Sequence, residues 1–180
     1  GGIGGVKITA MAAGSTHTVL LDEDGNVWTA GENNAGQLGR ETSSYRDSTF
    51  AKVTDGIGGV NITAIAAEGT HTVLLDSNGN VWTAGLNTYG QLGRETSSDF
   101  SSTFAQVTDG IKITAIAAGF YNTVLLDEEG NVWTAGNNKF GQLGRDENAG
   151  TDIANPMFKQ VTDGIDITAM ACYYHIVLLD

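Results

Sequence analysis

Three histidines occupy one position of a repeated sequence, and they are the residues best suited to acid–base or metal chemistry. They are His17, His71 and His175, and Asn122 takes the same position in the remaining copy. Histidine serves as a general base or metal ligand near neutral pH. Either role would require the side chains to converge, whereas equivalent positions of successive repeats are spread apart. Asparagine also replaces histidine as a hydrogen-bonding group and not as a base. The pattern therefore predicts buried structural histidines that bind no metal, and a tolerated His71→Asn substitution.

Three turns that begin with aspartate could offer carboxylates to a calcium ion. They occupy residues 22–24, 76–78 and 127–129, and a glycine follows each of them. Calcium loops of the D-x-[DN]-x-[DN]-G type place the glycine sixth, whereas here it is the fourth residue. The spacing favours solvated hairpin turns, and a weak cation site is the alternative.

The sequence Gly-Gln-Leu-Gly-Arg occurs three times, beginning at Gly36, Gly90 and Gly141. It lacks the Gly-Lys-Ser/Thr ending of a phosphate-binding loop and precedes no predicted helix, so it is interpreted as a structural turn. We expect its arginines to pair with nearby carboxylates; they are Arg40, Arg94 and Arg145. No spacing suggests a Ser/His/Asp or Cys/His set. The sequence therefore predicts no catalytic residues, no metal and no cofactor, and we expect the protein not to be an enzyme.

The charge balance narrows the possible partners. Nine basic and 21 acidic residues give a formal net charge of −12 over 180 residues. Nucleic-acid affinity depends on a basic surface, and anionic membranes also attract basic segments, so we expect neither partner. No stretch approaches the roughly 18 apolar residues of a membrane span. Cys172 is the single cysteine, which excludes an internal disulfide and a cysteine-rich metal site. The composition indicates no cellular compartment.

All these positions belong to a tandem repeat that spans the chain. Ile-Thr-Ala recurs at spacings of 54, 51 and 54 residues, and each copy leads into Val-Leu-Leu-Asp. Three copies continue into Gly-Asn-Val-Trp-Thr-Ala-Gly, with tryptophans at Trp28, Trp82 and Trp133. Such self-similarity indicates a repeat architecture.

Each repeat has the local pattern of four short strands. Runs of β-branched residues are bounded by glycine, asparagine and aspartate, without a helical period. In the first repeat we predict strand A at 8–13, B at 16–21, C at 26–30 and D at about 51–54. Strand B carries consecutive Val-Leu-Leu, which predicts burial on both faces. The sequence therefore predicts an all-β propeller of four-stranded antiparallel blades, three complete and one half. The chain, 1–180, is then a single array with blades at approximately 6–56, 60–110 and 111–164 and a half blade at 165–180.

The motif Gly-Asn-Val-Trp-Thr-Ala-Gly-x-Asn-x-x-Gly-Gln-Leu-Gly, followed by Gly-x-x-His-Thr-Val-Leu-Leu, resembles the regulator of chromosome condensation repeat. The resemblance covers essentially the whole chain and implies a propeller, typically of seven blades. That family often has tryptophan immediately before the glycine after strand C, where this chain has Ala30, Ala84 and Ala135. The resemblance to bacterial propellers that inhibit β-lactamases through one face implies an enzyme inhibitor or regulator as an alternative function. Nucleosome docking, known for the founding member, requires a basic surface and is not expected here.

One face of the array differs between repeats. In an up-and-down blade the A–B and C–D loops emerge on one face, which we call the variable face, and the B–C turns on the other. Loops on rigid scaffolds commonly carry function, and exposed aromatic residues commonly anchor interfaces. We therefore predict a scaffold that binds a macromolecular partner, expected to be a protein, through this face. The alternative is drift on a tolerant surface, with the aromatic rings packed between blades. The predicted contact residues are Ser15, Thr16, Thr70, Tyr89, Phe120, Tyr121, Phe140, Tyr173 and Tyr174.

The fourth repeat stops after strand B, and this leaves three and a half blades, whereas about four is the smallest closed propeller. We expect an unpaired edge there, formed by His175, Ile176, Val177, Leu178 and Leu179. Exposed apolar edges invite pairing. We therefore expect several chains to join into a closed ring, or the chain to be a fragment of a longer propeller. A purely structural or engineered self-assembling module is the corresponding alternative function.

Overall fold

Short antiparallel strands build the described structure. A computed structural model of the chain describes residues 3–161, 167, 169–172 and 176–179, and in these residues it contains strands and turns but no helix. The first sheet runs in the order β1-β2-β3-β4. Its strands are β1 (Ile8–Ala13), β2 (His17–Asp22), β3 (Val27–Glu32) and β4 (Arg46–Lys52). Strands A and B therefore match the predicted ones to within one residue.

The second and third sheets repeat this order, and a two-stranded sheet follows them. The second contains β5 (Ile62–Glu68), β6 (His71–Asp76), β7 (Val81–Leu86) and β8 (Phe100–Gln106). The third contains β9 (Ile113–Ala118), β10 (Asn122–Asp127), β11 (Val132–Gly136) and β12 (Lys159–Gln160). The last pair is β13 (Ala169–Cys172) and β14 (Ile176–Leu179). The B–C turns are tight, and Gly25, Gly79 and Gly130 have φ of 76°, 82° and 81°, as the turn requires.

The sheets stack face to face, with the first strand of each one contacting the first strand of the next. An apolar layer fills each junction. The central strand of the second sheet contributes to two of these layers: Leu74 packs toward the first sheet, whereas Val73 and Leu75 pack toward the third. All three are buried, so the expected burial of strand B on both faces is confirmed.

Strand D differs from the sequence prediction. It was expected at about 51–54, but β4 begins at Arg46 and pairs with β3 in two segments separated by a bulge. Its first half is polar and lies on the outer edge, so no apolar alternation marks it in the sequence. Residues 46–48 and 100–102, which precede the predicted strand D or its equivalent in the second repeat, consequently lie in strands.

The first aspartate of each B–C turn is buried, which corrects the interpretation of these turns as wholly solvated. Asp22 accepts hydrogen bonds from the backbone of Asp24 and Asn26, from the Asn26 amide, and from the Trp28 indole at 2.8 Å. Asp76 and Asp127 accept the same four bonds. Burial opposes ionisation of these carboxyls, but the donors outweigh it and their pKa is lowered. Their oxygens are therefore occupied by protein donors and are not free for a cation.

At the first two junctions a phenylalanine of the next sheet packs over a glycine. A Cβ atom placed on Gly39 would lie 1.9 Å from the Phe104 ring, and one on Gly93 would lie 1.9 Å from the Phe158 ring. Both glycines also have positive φ. Only glycine allows a ring of the next sheet to approach the backbone so closely.

Candidate interaction site on the variable face

A rigid amide network positions one residue of each C–D loop. In the second sheet Asn87 donates to the Arg94 carbonyl and accepts from the Leu92 amide, while Gln91 accepts from the Tyr89 amide at 3.0 Å. The first and third sheets repeat these bonds around Ala35 and Phe140. The repeated asparagine and glutamine therefore hold the loop, and the residue at position 35, 89 or 140 is free to vary.

Three aromatic rings meet where the second and third sheets join. The Tyr89 and Tyr121 ring centroids are 4.9 Å apart, and those of Phe120 and Tyr121 are 4.6 Å apart in an edge-to-face arrangement. Tyr89 belongs to a C–D loop and the other two to the next A–B tip, and all three are half-buried. We call these three residues the aromatic cluster. The three rings therefore pack between blades and also remain partly exposed.

The other predicted contact residues lie around this cluster. Ser15 and Thr16 are exposed, and Thr70 is half-buried. The tips form a row, because the Ser15 amide donates to the Gly69 carbonyl at 2.9 Å and Gly69 abuts the Phe120 carbonyl. Phe140 is 75% exposed and makes no ring contact within the described residues. Tyr173 and Tyr174 lie outside the described residues.

Sequence reasoning missed the loop that covers the second C–D turn. Asn155 of the third sheet donates its backbone N–H to the Tyr89 carbonyl at 3.0 Å. Pro156 lies against Gly90, where a Cβ atom would come within 2.5 Å of it. The loop thereby forms one wall of a cleft that also includes Glu95 and Asp99. The chain's single proline, inside its longest C–D loop, was the available signal.

The described histidines connect successive sheets. His17 Nε2 lies 2.8 Å from Thr72 Oγ1, and that hydroxyl donates to the Gln37 carbonyl at 2.7 Å. The hydroxyl has one proton, so His17 must donate from Nε2 and its Nδ1 carries none. The next junction repeats this arrangement with His71, Thr123 and Gln91. Both histidines are buried, as expected, and burial lowers their pKa to about 4 for His17 and about 3 for His71. His175 lies outside the described residues.

Asn122 breaks this pattern for a reason that the structure supplies. At the other junctions the next sheet supplies a threonine hydroxyl, from Thr72 or Thr123. The equivalent residue of the last sheet is Ile176, which has no hydroxyl. Asn122 Nδ2 instead donates to Cys172 Sγ at 3.2 Å. Burial raises the pKa of the Cys172 thiol to about 11, with the Asn122 hydrogen bond opposing it. The thiol is therefore protonated at neutral pH.

The expected pairing of the motif arginines with carboxylates holds for two of the three. These ion pairs are Arg40–Asp47 at 3.0 Å and Arg145–Glu147 at 3.5 Å. Arg94 instead donates to the backbone carbonyls of Thr83 and Thr103, each at 3.3 Å. Ser101 stands where the first sheet has the aspartate, so the partner carboxylate is missing there.

The predicted edge at the last sheet is apolar and exposed in its described part. Val177 and Leu179 are 65% and 60% exposed, while Ile176 and Leu178 face the third sheet. Within the described ranges β14 pairs with β13 alone. Across all the described residues, no helix is long and apolar enough to cross a membrane. These residues also contain no group of three or more side chains that could hold a metal ion.

Comparison with known proteins supports the repeat. Two profiles described as the regulator of chromosome condensation (RCC1) repeat match the chain, one at residues 8–37, 62–91 and 113–142 and the other at 78–126 and 129–179. The protein RCC2 homolog of Xenopus laevis is 33% identical over 143 residues, which are 78% of this chain and 28% of that protein. The human E3 ubiquitin-protein ligase HERC2 is 28% identical over 93% of this chain and 3% of the ligase. The chain thus spans about a quarter of the RCC2 homolog and far less of HERC2.

Solved structures show the same fold at lower sequence identity. Yeast RCC1 (Prp20), solved with Kap60, superposes with a TM-score of 0.81 at 16% identity, covering 94% of this chain and 41% of that one. Human WBSCR16 superposes with a TM-score of 0.79 at 21% identity, covering 93% and 44%. The four-stranded sheets are therefore blades of a β-propeller, and the chain belongs to the regulator of chromosome condensation (RCC1) repeat family.

Proposed function

We propose that this chain is a non-enzymatic propeller scaffold that binds a protein partner through its variable face. The observation that carries the proposal is the aromatic cluster of Tyr89, Phe120 and Tyr121, which is partly exposed on loops held by a repeated amide network. Rigid aromatic anchors cost little conformational entropy on binding and dominate many interfaces. The proposed contact surface extends from the cluster to Ser15, Thr16, Thr70 and Phe140, with Tyr173 and Tyr174 as further members.

The relatives agree with a binding role. Yeast RCC1 was solved with Kap60 bound, and the same protein was characterised for its binding to Gsp1p and histones. HERC2 is a ligase, but its similarity to this chain covers 3% of that protein and does not carry the ligase activity over. The buried histidines also oppose an enzymatic role, because His17 and His71 are neutral, bonded between blades and inaccessible to a substrate.

A peptide selection tests this proposal. Ligands would be selected from a random peptide library on the immobilised chain, and their affinities measured for Tyr121→Ala and Phe140→Ala variants. We expect the selected ligands to lose roughly 30-fold in affinity for at least one variant, the effect of removing an anchor worth about 2 kcal/mol. Phe140 is largely exposed, so its variant stays folded even if Tyr121→Ala does not.

Glu128→Ala on the opposite face is the matched control. Its carboxylate is exposed at a B–C turn, and its loss should leave binding unchanged. Ligands that respond to Glu128→Ala and ignore both aromatic variants would refute the proposal.

Self-association is a second candidate function, and the exposed edge favours it. Val177 and Leu179 are the equivalents of Val19 and Leu21, which are buried against Leu74, Ala84 and Phe104 of the next blade. The first blade has the same three side-chain types at the equivalent positions, Leu20, Ala30 and Phe50, but Leu20 and Ala30 are already buried within the chain. The exposed side chains that favour self-association are therefore those of Val177 and Leu179.

A further inference from the structure

An open groove lies beside the third blade, between its C–D loop and strand β14. It has a volume of about 270 Å³. The side chains that line it are apolar apart from the Gln142 amide, and the apolar ones are Val132, Phe140, Leu143, Val161, Ile176 and Leu178. No charged residue lines the groove. An apolar side chain would therefore enter it without leaving a charge buried and unpaired.

The counterpart of this groove at the first junction holds a phenylalanine ring. Phe104 lies over a glycine and belongs to one apolar layer with a leucine and two valines. These four neighbours are Gly39, Leu74, Val27 and Val53. Their equivalents at the third blade all line the groove, and they are Gly144, Leu178, Val132 and Val161. The groove thus has the walls of a phenylalanine site.

The second junction has the same arrangement. Phe158 lies over Gly93 and packs in a layer that contains the equivalent leucine and valines, Leu125, Val81 and Val107. The corresponding layer of the third blade has no aromatic ring among its described members. A phenylalanine therefore fills this position at both junctions where a complete blade follows.

The segment that carries each phenylalanine also crosses a second glycine. At the first junction Gly36 abuts the backbone of Ser102, and at the second Gly90 abuts that of Pro156. Each of these residues lies two positions before its phenylalanine, so in an extended segment both face the preceding blade. Gly141 is the equivalent glycine of the third blade. A Cβ atom on it, or on Gly144, would meet no described atom within 4 Å.

We propose that the groove binds an extended segment of a partner protein, with a phenylalanine ring over Gly144 and the backbone two residues earlier against Gly141. The two internal segments define this ligand, because they fill the counterparts of the groove in the same way. The second one also donates the Asn155 N–H to the Tyr89 carbonyl, and Phe140 carries the equivalent carbonyl. The inference goes beyond the proposed function, since the rings of the aromatic cluster do not line the groove.

An NMR titration with a peptide taken from the chain tests the inference. The probe is the acetylated and amidated peptide of residues 101–107, Ser-Ser-Thr-Phe-Ala-Gln-Val, which carries no charge. Added to the ¹⁵N-labelled protein, it should shift the backbone amide signals of Gly141 and Gly144. The signals of Gly36 and Gly39 should shift less, because the next blade already covers these glycines. Added salt should leave the affinity within about twofold, because no charged groups meet.

Two control peptides leave the protein unchanged. Replacing the phenylalanine of the probe by alanine should weaken binding at least roughly tenfold, because the buried ring supplies most of the affinity. Exchanging the threonine and the phenylalanine keeps the composition but turns the ring to the other side of an extended segment. This exchanged peptide should be weakened to a similar extent.

Two variants of β14 locate the site on the protein. Leu178→Asp places a charge in the groove and should weaken the probe at least roughly tenfold. Val177→Asp is the matched control, because Val177 is exposed and does not line the groove. It should leave the affinity within about twofold. If Leu178→Asp does not fold, the control peptides still decide the outcome.

Several results would overturn the groove as a phenylalanine site. They are equal binding of the probe and either control peptide, shifts that leave out Gly141 and Gly144, and an absence of shifts at millimolar peptide. A second copy in the groove would instead make these two signals change with protein concentration alone, and this would overturn the assignment to a separate partner. The proposed function would stand in each case, because its test depends on Tyr121, which does not line the groove.

Discussion

At the residue scale, the described histidines act as neutral links between blades. His17 and His71 each donate to a threonine hydroxyl of the next blade, and that hydroxyl donates to a carbonyl of the histidine's own blade. The Nδ1 atoms are buried without a hydrogen-bond partner in the described part of the chain. Protonation at Nδ1 would place a charge inside the junction, and burial opposes this more strongly than the Glu68 carbonyl beside His71 favours it.

Stability should therefore fall in mild acid. The folded-state pKa values of about 4 for His17 and about 3 for His71 lie below the unfolded value near 6.5. The unfolded chain binds more protons in this window, so the stabilisation is complete above about pH 6.5 and is lost progressively as the pH falls. Urea unfolding should give a free energy lower at pH 5 than at pH 7 by about 2 kcal/mol per histidine. His71→Gln should remove the contribution of His71 to this pH dependence. Equal unfolding free energies of the parent protein at both pH values would refute this account.

Replacing His71 tests the link itself. The sequence predicts that His71→Asn is tolerated, because Asn122 occupies the equivalent position. The structure changes that expectation, since His71 reaches Thr123 across the junction. Asn122 instead bonds to Cys172, and the last sheet has Ile176 at the position equivalent to Thr123. An asparagine is too short for the Thr123 hydroxyl, so we expect urea unfolding to show a loss of about 1–3 kcal/mol. Asn122→Ala is the comparison and should cost less, because a bond to sulfur is weak. If His71→Asn has the same unfolding free energy as the parent protein, the sequence-based expectation of a tolerated substitution would hold instead.

At the scale of the structural element, the C–D loop is a fixed support with one variable position. Its asparagine, glutamine and glycine positions recur with the same hydrogen bonds in all three complete blades. The glycine before each motif arginine also receives a phenylalanine from the next blade at the first two junctions. The loop therefore joins neighbouring blades and also holds the variable residue, at position 35, 89 or 140, on the variable face.

The glycine–phenylalanine contact can be measured against an internal control. Gly39 and Gly144 both have positive φ, 64° and 69°, but a Cβ atom on Gly144 would meet no described atom within 4 Å. Alanine at either position carries the same backbone strain, and only Gly39→Ala also clashes with the buried Phe104 ring. We expect Gly39→Ala to reduce the unfolding free energy by about 1–3 kcal/mol more than Gly144→Ala does, measured by urea unfolding. Equal losses would mean that the ring moves freely.

At the scale of the whole molecule, the stacking of blades leaves apolar surface on the last one. Val177 and Leu179 point away from the third blade, and their equivalents elsewhere are buried under a following blade. On the first blade, Leu20 and Ala30 are buried, whereas Met11 is exposed. The described apolar exposure is therefore greater at the last blade.

The chain should associate through that edge. Multi-angle light scattering at micromolar concentration should show species larger than the 18.8 kDa chain, because burial of exposed valine and leucine side chains is favourable by about 25 cal/mol per Å². Val177→Asp/Leu179→Asp should shift the distribution to the single chain. Thr54→Asp/Ser77→Asp adds the same charge at exposed positions elsewhere and should leave it unchanged. A parent protein that remains a single chain would contradict the self-association candidate.

The sequence by itself determined the features that a contiguous stretch encodes. The repeat, the strands A and B, the glycine of each B–C turn and the burial of Val-Leu-Leu all follow from local periodicity and turn chemistry. The position of the variable face also follows, because successive loops of an up-and-down sheet emerge alternately on its two opposite faces. The expected propeller and repeat family are confirmed for the same reason.

Only the tertiary structure decided which distant residues meet. Thr123 lies 52 residues beyond His71, and Tyr121 lies in a different blade from Tyr89, so neither contact leaves a periodic trace. The early start of β4 depends on pairing across a long loop, and the burial of Asp22 depends on the Trp28 indole that folds over it. The cleft likewise exists because Asn155 crosses to the neighbouring blade. These features arise from the stacking of one blade on the next, and the stacking brings together side chains that no local pattern relates.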